Sequence, residues 1–152
     1  GIGKTDSRSI SEIRGDQIFW LDETTENKAE KQILNKIKAL SNYLNTTCYL
    51  GIVGSEFHYA CYGPGKFYKR HKDAFQSQKG RLLSVIIYLN QHWQEADGGK
   101  LVIFPSEKGI EKEIFIEPTA GKLVCFESEK LEHEVQVSFA KRMSLTGWLL
   151  TK

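Results

Sequence analysis

The chain has 152 residues, 40% apolar and 26% charged, which fits one globular domain with a sizeable core and excludes a disordered chain. Its longest apolar run, Leu82 to Leu89, falls far short of the roughly 20 residues that a membrane-spanning helix needs, so no membrane association is expected. Lysine and arginine number 21 against 19 acids, and the resulting net charge of +2 gives no reason to expect nucleic acid as partner.

Residues 1–14 are polar and weakly patterned and read as a loop or arm, and Ile18 to Leu21 reads as an edge strand. From Thr25 to Asn45, Ile33, Leu34, Ile37, Leu40 and Leu44 recur at spacings of three and four, which predicts one amphipathic helix. Asp22, Thr24 and Thr25 are its candidate N-caps, and Glu26 and Glu30 suit the positive end of its dipole. Strands follow: Phe57 to Tyr62, stopped by Gly63-Pro64-Gly65, then Phe67 to Asp73, then Leu82 to Leu89, apolar enough to be covered on both faces. After a loop ending in Gly98-Gly99 come Lys100 to Phe104, Ile114 to Ile116, Leu123 to Phe126, Glu132 to Val137 and Met143 to Leu150. One helix and about eight short strands predict a mainly β, double-sheet jelly roll with a helix packed outside it, in a single domain over 1–152.

Cys48, Cys61 and Cys125 are odd in number and form no CxxC pair, so neither a disulfide framework nor a four-cysteine zinc site is expected. Reduced, mostly buried thiols in a cytoplasmic protein are the expectation. The first residues lack the apolar stretch of a signal peptide, and Gly1 opens inside a polar stretch, as at a cut boundary.

Two short motifs are set aside. Gly1-Ile2-Gly3-Lys4-Thr5 resembles the end of a phosphate-binding loop, but the motif also needs an upstream glycine, a preceding strand and a following helix. Arg14-Gly15-Asp16 matches the integrin-binding tripeptide, yet three residues carry little information and a tight turn explains them.

The informative chemistry begins at His71 and Asp73. On a strand, positions i and i+2 face one side, so an imidazole and a carboxylate can enter one pocket. A further imidazole would complete the two-histidine, one-carboxylate set that suits non-haem Fe(II), because three protein donors leave three adjacent positions open. His133, near the start of a later strand, is the best third donor. The bare pair also occurs on solvated strand ends, and the other histidines add little: His92 reads as an exposed loop residue, and His58 as a polar pocket wall.

Nine residues after His133 stands Arg142, and Arg142, Ser144, Thr146 and Trp148 alternate with Met143, Leu145, Gly147 and Leu149. A guanidinium in an apolar β core is costly unless a carboxylate pairs with it. A bound dicarboxylic acid would supply that partner through two parallel hydrogen bonds, and a buried acid such as Glu117 or Glu127 is the structural alternative.

The order HxD, distal histidine, then arginine resembles the Fe(II)- and 2-oxoglutarate-dependent oxygenases. Longer stretches are similar to their prolyl-hydroxylase branch, the oxygen-sensing hydroxylases of animals and their bacterial relatives. These are Ile13 through Trp20, Ala60-Cys61-Tyr62, Arg70 through Asp73, Tyr88-Leu89-Asn90 with Trp93, Gly98 through Pro105, His133 through Gln136 and Arg142 through Trp148. The resemblance implies a double-stranded β-helix in which His71, Asp73 and His133 hold Fe(II). It also implies 2-oxoglutarate on the metal, its far carboxylate meeting Arg142 and Tyr88, with Tyr62, Thr146 and Trp148 around it. Arg81 would lie near the peptide entrance, and Arg14 and Asp16 at the base of a mobile loop over the substrate. O2 is the co-reactant, ascorbate an accessory reductant, succinate and CO2 the co-products, and a prolyl residue of a protein the substrate. A monomer is expected, with the helices that flank the sheets in this family missing upstream and downstream. Two rival readings stay open: an oxygenase acting on a free amino acid, another small molecule or a nucleic-acid base, and a non-catalytic β-sandwich binding module.

Overall fold

The computed structural model describes residues 13–73 and 80–152. The phosphate-loop look-alike and most of the expected arm lie outside the described residues. Lys28–Cys48 forms the α-helix, α1, three residues later at each end than its periodicity predicts. The cap is Asn27, whose side chain accepts from the backbone N–H groups of Ala29 and Glu30. Asp22 turns back on Thr24, and the Thr25 hydroxyl donates to Glu30, so none of the three expected caps is available. At the far end the hydroxyls of Thr46 and Thr47 bond carbonyls one turn back, and Tyr49, in the left-handed region at φ 54°, ends the helix.

The described residues form eleven strands: β1 (Asp16–Trp20), β2 (Gly54–Tyr62), β3 (Lys66–His71), β4 (Arg81–Tyr88), β5 (Leu101–Phe104), β6 (Ser106–Glu107), β7 (Ile110–Glu111), β8 (Ile114–Ile116), β9 (Leu123–Glu127), β10 (Glu132–Ser138) and β11 (Arg142–Leu150). A five-stranded sheet runs β1-β2-β11-β4-β9 and a four-stranded sheet β3-β10-β5-β8, all neighbours antiparallel. From β2 to β5 and again from β8 to β11, consecutive strands alternate between the sheets, which makes the expected double-stranded β-helix. The β6–β7 hairpin is additional: two residues a side, turning through Lys108 and Gly109 at φ 52° and 78°.

The alternation of β11 explains the layering. Leu145 and Leu149 face outward and join Phe57, Val85 and Ile37 of α1 in one apolar cluster. On the inner side Ala60, Tyr62, Ile86, Tyr88 and Phe126 of the large sheet meet Leu101, Ile103 and Val135 of the small one. The large sheet is therefore covered on both faces, which is why β4 is apolar throughout apart from its ends and Ser84. Gly147 lets β2 and β11 approach closely: a Cβ there would meet the Glu56 carbonyl, and the Phe57 ring at 2.5 Å.

The cysteines depart from expectation. All three are free, but Cys48 and Cys125 are exposed and Cys61 is half-buried. Cys48 ends the helix and Cys125 lies on β9 at the sheet edge, where burial is incomplete. Among the described residues no helix is long and apolar enough to cross a membrane.

Candidate metal centre

His71 closes β3 and His133 is the second residue of β10; the register sets them directly opposite each other. Their rings lie 4.3 Å apart between centroids. Asp73 is not on the strand, as the i, i+2 expectation required: β3 ends at His71, and Asp73 sits in a bend. Its carboxylate converges all the same, with Oδ1 3.4 Å from Nε2 of both histidines. The reason is an anchor on the opposite sheet, where the Ser84 hydroxyl of β4 donates to Asp73 Oδ2 at 2.6 Å.

The three donors lie within 4.8 Å of one another, close enough to hold one metal ion. Nδ1 of His71 faces the Lys69 carbonyl at 2.7 Å, and Nδ1 of His133 faces that of Leu131 at 3.4 Å. Protons on both Nδ1 atoms satisfy these carbonyls and leave the Nε2 lone pairs turned toward the centre. Tyr68 stacks on His71 with centroids 3.6 Å apart, and Phe126 meets His133 edge-on at 4.8 Å, so both ligand planes are packed in place. Burial alone would raise the Asp73 carboxyl; without a metal, His133 and His71 in their doubly protonated form, together with the Ser84 hydroxyl, outweigh it and hold the group far below the usual carboxylate range. Two imidazoles and one ionised carboxylate, with one side open, are the donor set that non-haem Fe(II) takes.

The donors open into a cavity of about 440 Å³ between the sheets. Arg142, Ser144, Thr146 and Trp148 of β11 line it together, as their alternation predicts. Arg142 is 2% exposed, and its Nε donates to the Gly99 carbonyl at 2.9 Å. Gly99 sits at φ 63°, and a Cβ there would meet the Arg142 side chain at 3.0 Å, so the glycine makes room for the arginine. Neither acid considered as its structural partner reaches it: Glu117 pairs with Lys100 at 3.0 Å and Glu127 with Lys130 at 2.7 Å. Among the described residues no carboxylate forms an ion pair with Arg142. The buried Tyr88 hydroxyl beside it has no hydrogen-bond partner, and burial pushes that phenol up to about 12 against the pull of the Arg142 charge. A buried cation and an orphaned hydroxyl side by side fit the carboxylate of an anionic ligand.

Tyr62, Arg81, Arg14 and Asp16 also line the cavity; Tyr88 does not line it but stands next to Arg142, whose guanidinium lies 5.2 Å from its ring centroid. Arg14 and Asp16 clasp each other through two 2.6 Å hydrogen bonds, and Arg14 stands 4.8 Å over the Tyr68 ring. The tripeptide is thus no tight turn and is not displayed: Arg14 bridges to Tyr68, Gly15 N–H bonds the Phe67 carbonyl, and Asp16 opens β1 with its carboxylate buried. Arg81 lies flat on Trp148, 3.4 Å from the ring centroid, and pairs with Glu56 at 2.8 Å. His58 is a pocket wall between Trp20 and Trp148, and His92 is exposed, as expected of each. Sequence reasoning passed over Ser84 and Tyr68. Ser84 was signalled as the one serine inside an apolar run, and Tyr68 by none.

Residues 57–150 match the model of the 2OG-Fe(II) oxygenase superfamily. This chain belongs to that superfamily. It is 36% identical over 142 residues to mouse prolyl hydroxylase EGLN3, covering 90% of this chain and 58% of that protein. It is 34% identical over 154 residues to human Egl nine homolog 1, covering 93% of this chain and 34% of the relative. A solved Pseudomonas putida prolyl-4-hydroxylase superposes at TM-score 0.85 with 41% identity, over 93% of this chain and 74% of that one. A Trichoplax adhaerens prolyl hydroxylase, solved with a hypoxia inducible factor peptide fragment, gives 0.80 and 31% over 92% and 64%. The chain spans little more than half of the mouse relative and about a third of the human one. The family resemblance carried by the HxD, His and Arg pattern therefore holds, and with it the set Fe(II), 2-oxoglutarate and O2.

Proposed function

We propose that this chain is the catalytic core of a prolyl hydroxylase that acts on a protein, with His71, Asp73 and His133 holding the iron. The observation that carries the reading is the convergence of these donors with a buried, acid-free Arg142 in one cavity. Iron, 2-oxoglutarate and O2 together supply the oxidation, in which 2-oxoglutarate yields succinate and CO2 and one oxygen atom goes to the substrate carbon.

The chain's own residues do the positioning. Arg142 and Tyr88 grip the far carboxylate of 2-oxoglutarate, which leaves its other end to reach the metal side of the cavity. Tyr62, Thr146 and Trp148 wall the cosubstrate and keep water out. Arg81 on Trp148 and the clasped Arg14–Asp16 pair border the entrance that the peptide uses. Their ion pairs hold these side chains rigid, so they shape the entrance before substrate arrives. The free, partly exposed cysteines suit a reducing compartment, and we place the protein in the cytoplasm.

The test is succinate release by the purified protein with Fe(II) and 2-oxoglutarate, with and without a proline-containing peptide; the fragment type bound by the Trichoplax relative is a first probe. The expected result is peptide-stimulated succinate and a product one oxygen atom heavier at proline. Free proline modified in place of the peptide would transfer the reading to small-molecule substrates. Undiminished turnover in His71→Ala or His133→Ala would overturn the metal assignment.

A further inference from the structure

Asp73 has two carboxylate oxygens, and they face different partners. Oδ1 points to the two histidines, and Oδ2 accepts the Ser84 hydroxyl at 2.6 Å. Ser84 in turn lies 2.9 Å from the hydroxyl of Ser128, and both serines are fully buried. Proton counting sets the direction of this chain of bonds. An ionised carboxylate only accepts, so Ser84 must spend its single O–H on Asp73; the Ser84–Ser128 bond then exists only with Ser128 donating. Ser128 is itself fixed by its backbone N–H, which bonds the Leu82 carbonyl at 3.0 Å.

We propose that this relay, Ser128 to Ser84 to Asp73, keeps Asp73 a one-oxygen ligand and thereby reserves a coordination position for the co-reactants. The inference rests on the metal reading above. A six-coordinate ion held by three protein atoms has three positions left, which two atoms of 2-oxoglutarate and O2 fill between them. A carboxylate that turned to bind through both oxygens would occupy one of the three. In a pocket this closely packed, a donor already seated on Oδ2 is what opposes that turn, and a donor that is itself hydrogen-bonded holds its own rotamer. Asp73 especially needs such a hold. It lies beyond the end of β3, so no strand ladder sets its backbone, and the relay ties it to β4 and to the residue following β9. Ser84 and Ser128 are positioning residues; neither touches the metal.

Mn(II), added to the purified protein in place of iron, tests this, because its effect on water-proton relaxation counts the exchangeable waters it holds. The parent is expected to hold three waters and Ser84→Ala two, with the Asp73 carboxylate stretches drawn together as two-oxygen binding requires. Ser84→Thr keeps the hydroxyl and is expected to restore three. Ser128→Ala leaves every atom next to the metal in place and is expected to fall below three, since Ser84 loses the bond that orients it. Folded Ser84→Ala and Ser128→Ala proteins with parental hydration and carboxylate spectra would overturn the relay. If Ser84→Ala does not fold, Ser128→Ala alone decides in the same way. A parent that binds no Mn(II) would sink the metal reading and the relay together, a result distinct from failure of the relay alone.

Discussion

At the scale of single residues, Arg142 has the largest energetic stake. Two charge-assisted hydrogen bonds to a carboxylate contribute about 1.5–3 kcal/mol each, and every 1.4 kcal/mol is about tenfold in affinity. Arg142→Met is therefore expected to weaken 2-oxoglutarate binding by at least about 10-fold while leaving Mn(II) affinity near parental, as titration calorimetry would show. His58 sets a pH dependence of stability. Burial lowers its imidazole to about 4, Asp16 opposing and Arg14 adding to the effect, with Asp73 and Arg81 acting from farther off. The unfolded chain takes up this proton below about 6.5, whereas the folded one resists until near 4, so stability is full above that window and falls within it. The total is on the order of 3 kcal/mol. Urea unfolding of metal-free protein at several pH values should show the loss between about 6.5 and 4, and His58→Phe should flatten it. The four residues proposed to carry the chemistry were legible because their types are rare in a β core and their spacing is informative. Ser84 was legible only as an oddity, since its partner Ser128 is 44 residues away in sequence.

At the scale of elements, the helix shows where pattern reading loses resolution. Apolar spacing located α1 because burial against the large sheet imposes a period of 3.6. Its ends are set by single polar side chains, and three plausible caps stood within five residues of the true one, Asn27. Asn27→Ala is expected to cost about 1 kcal/mol in thermal or urea unfolding and to leave metal binding unchanged, because α1 packs on the side of the sheet away from the cavity. Gly147→Ala is expected to cost more, about 1–3 kcal/mol, since β2 and β11 must separate to admit the methyl group. That strain would reach Trp148 and Thr146 next to it, so weaker cosubstrate binding should accompany the loss of stability. The β6–β7 hairpin escaped prediction for a simple reason: with two exposed residues a side, it has no apolar alternation to read.

At the scale of the whole molecule, the centre joins two parts that the chain keeps far apart: the end of β3 with Asp73 just beyond it, and the start of β10. Metal should stabilise the fold by linkage, by about 2.7 kcal/mol at a hundredfold excess over Kd, with a matching rise in Tm. His133→Ala should lose most of that rise. The jelly roll itself was readable from one helix followed by short strands, but the strand order and pairing were not, because register is a property of two strands at once. The β3–β10 pairing carries a last consequence. Two irregularities interrupt it below the histidines, between His133 and Val135 and between Val135 and Ser138, so the backbone ladder alone specifies its alignment weakly. β10 itself is held by an unbroken ladder to β5, so a one-residue slip of the edge strand β3 would turn His71 to the opposite face and dissolve the ligand set. A metal held by the proposed ligands would favour the one pairing in which both imidazoles meet, so metal affinity is expected to report on correct strand alignment in this half of the molecule.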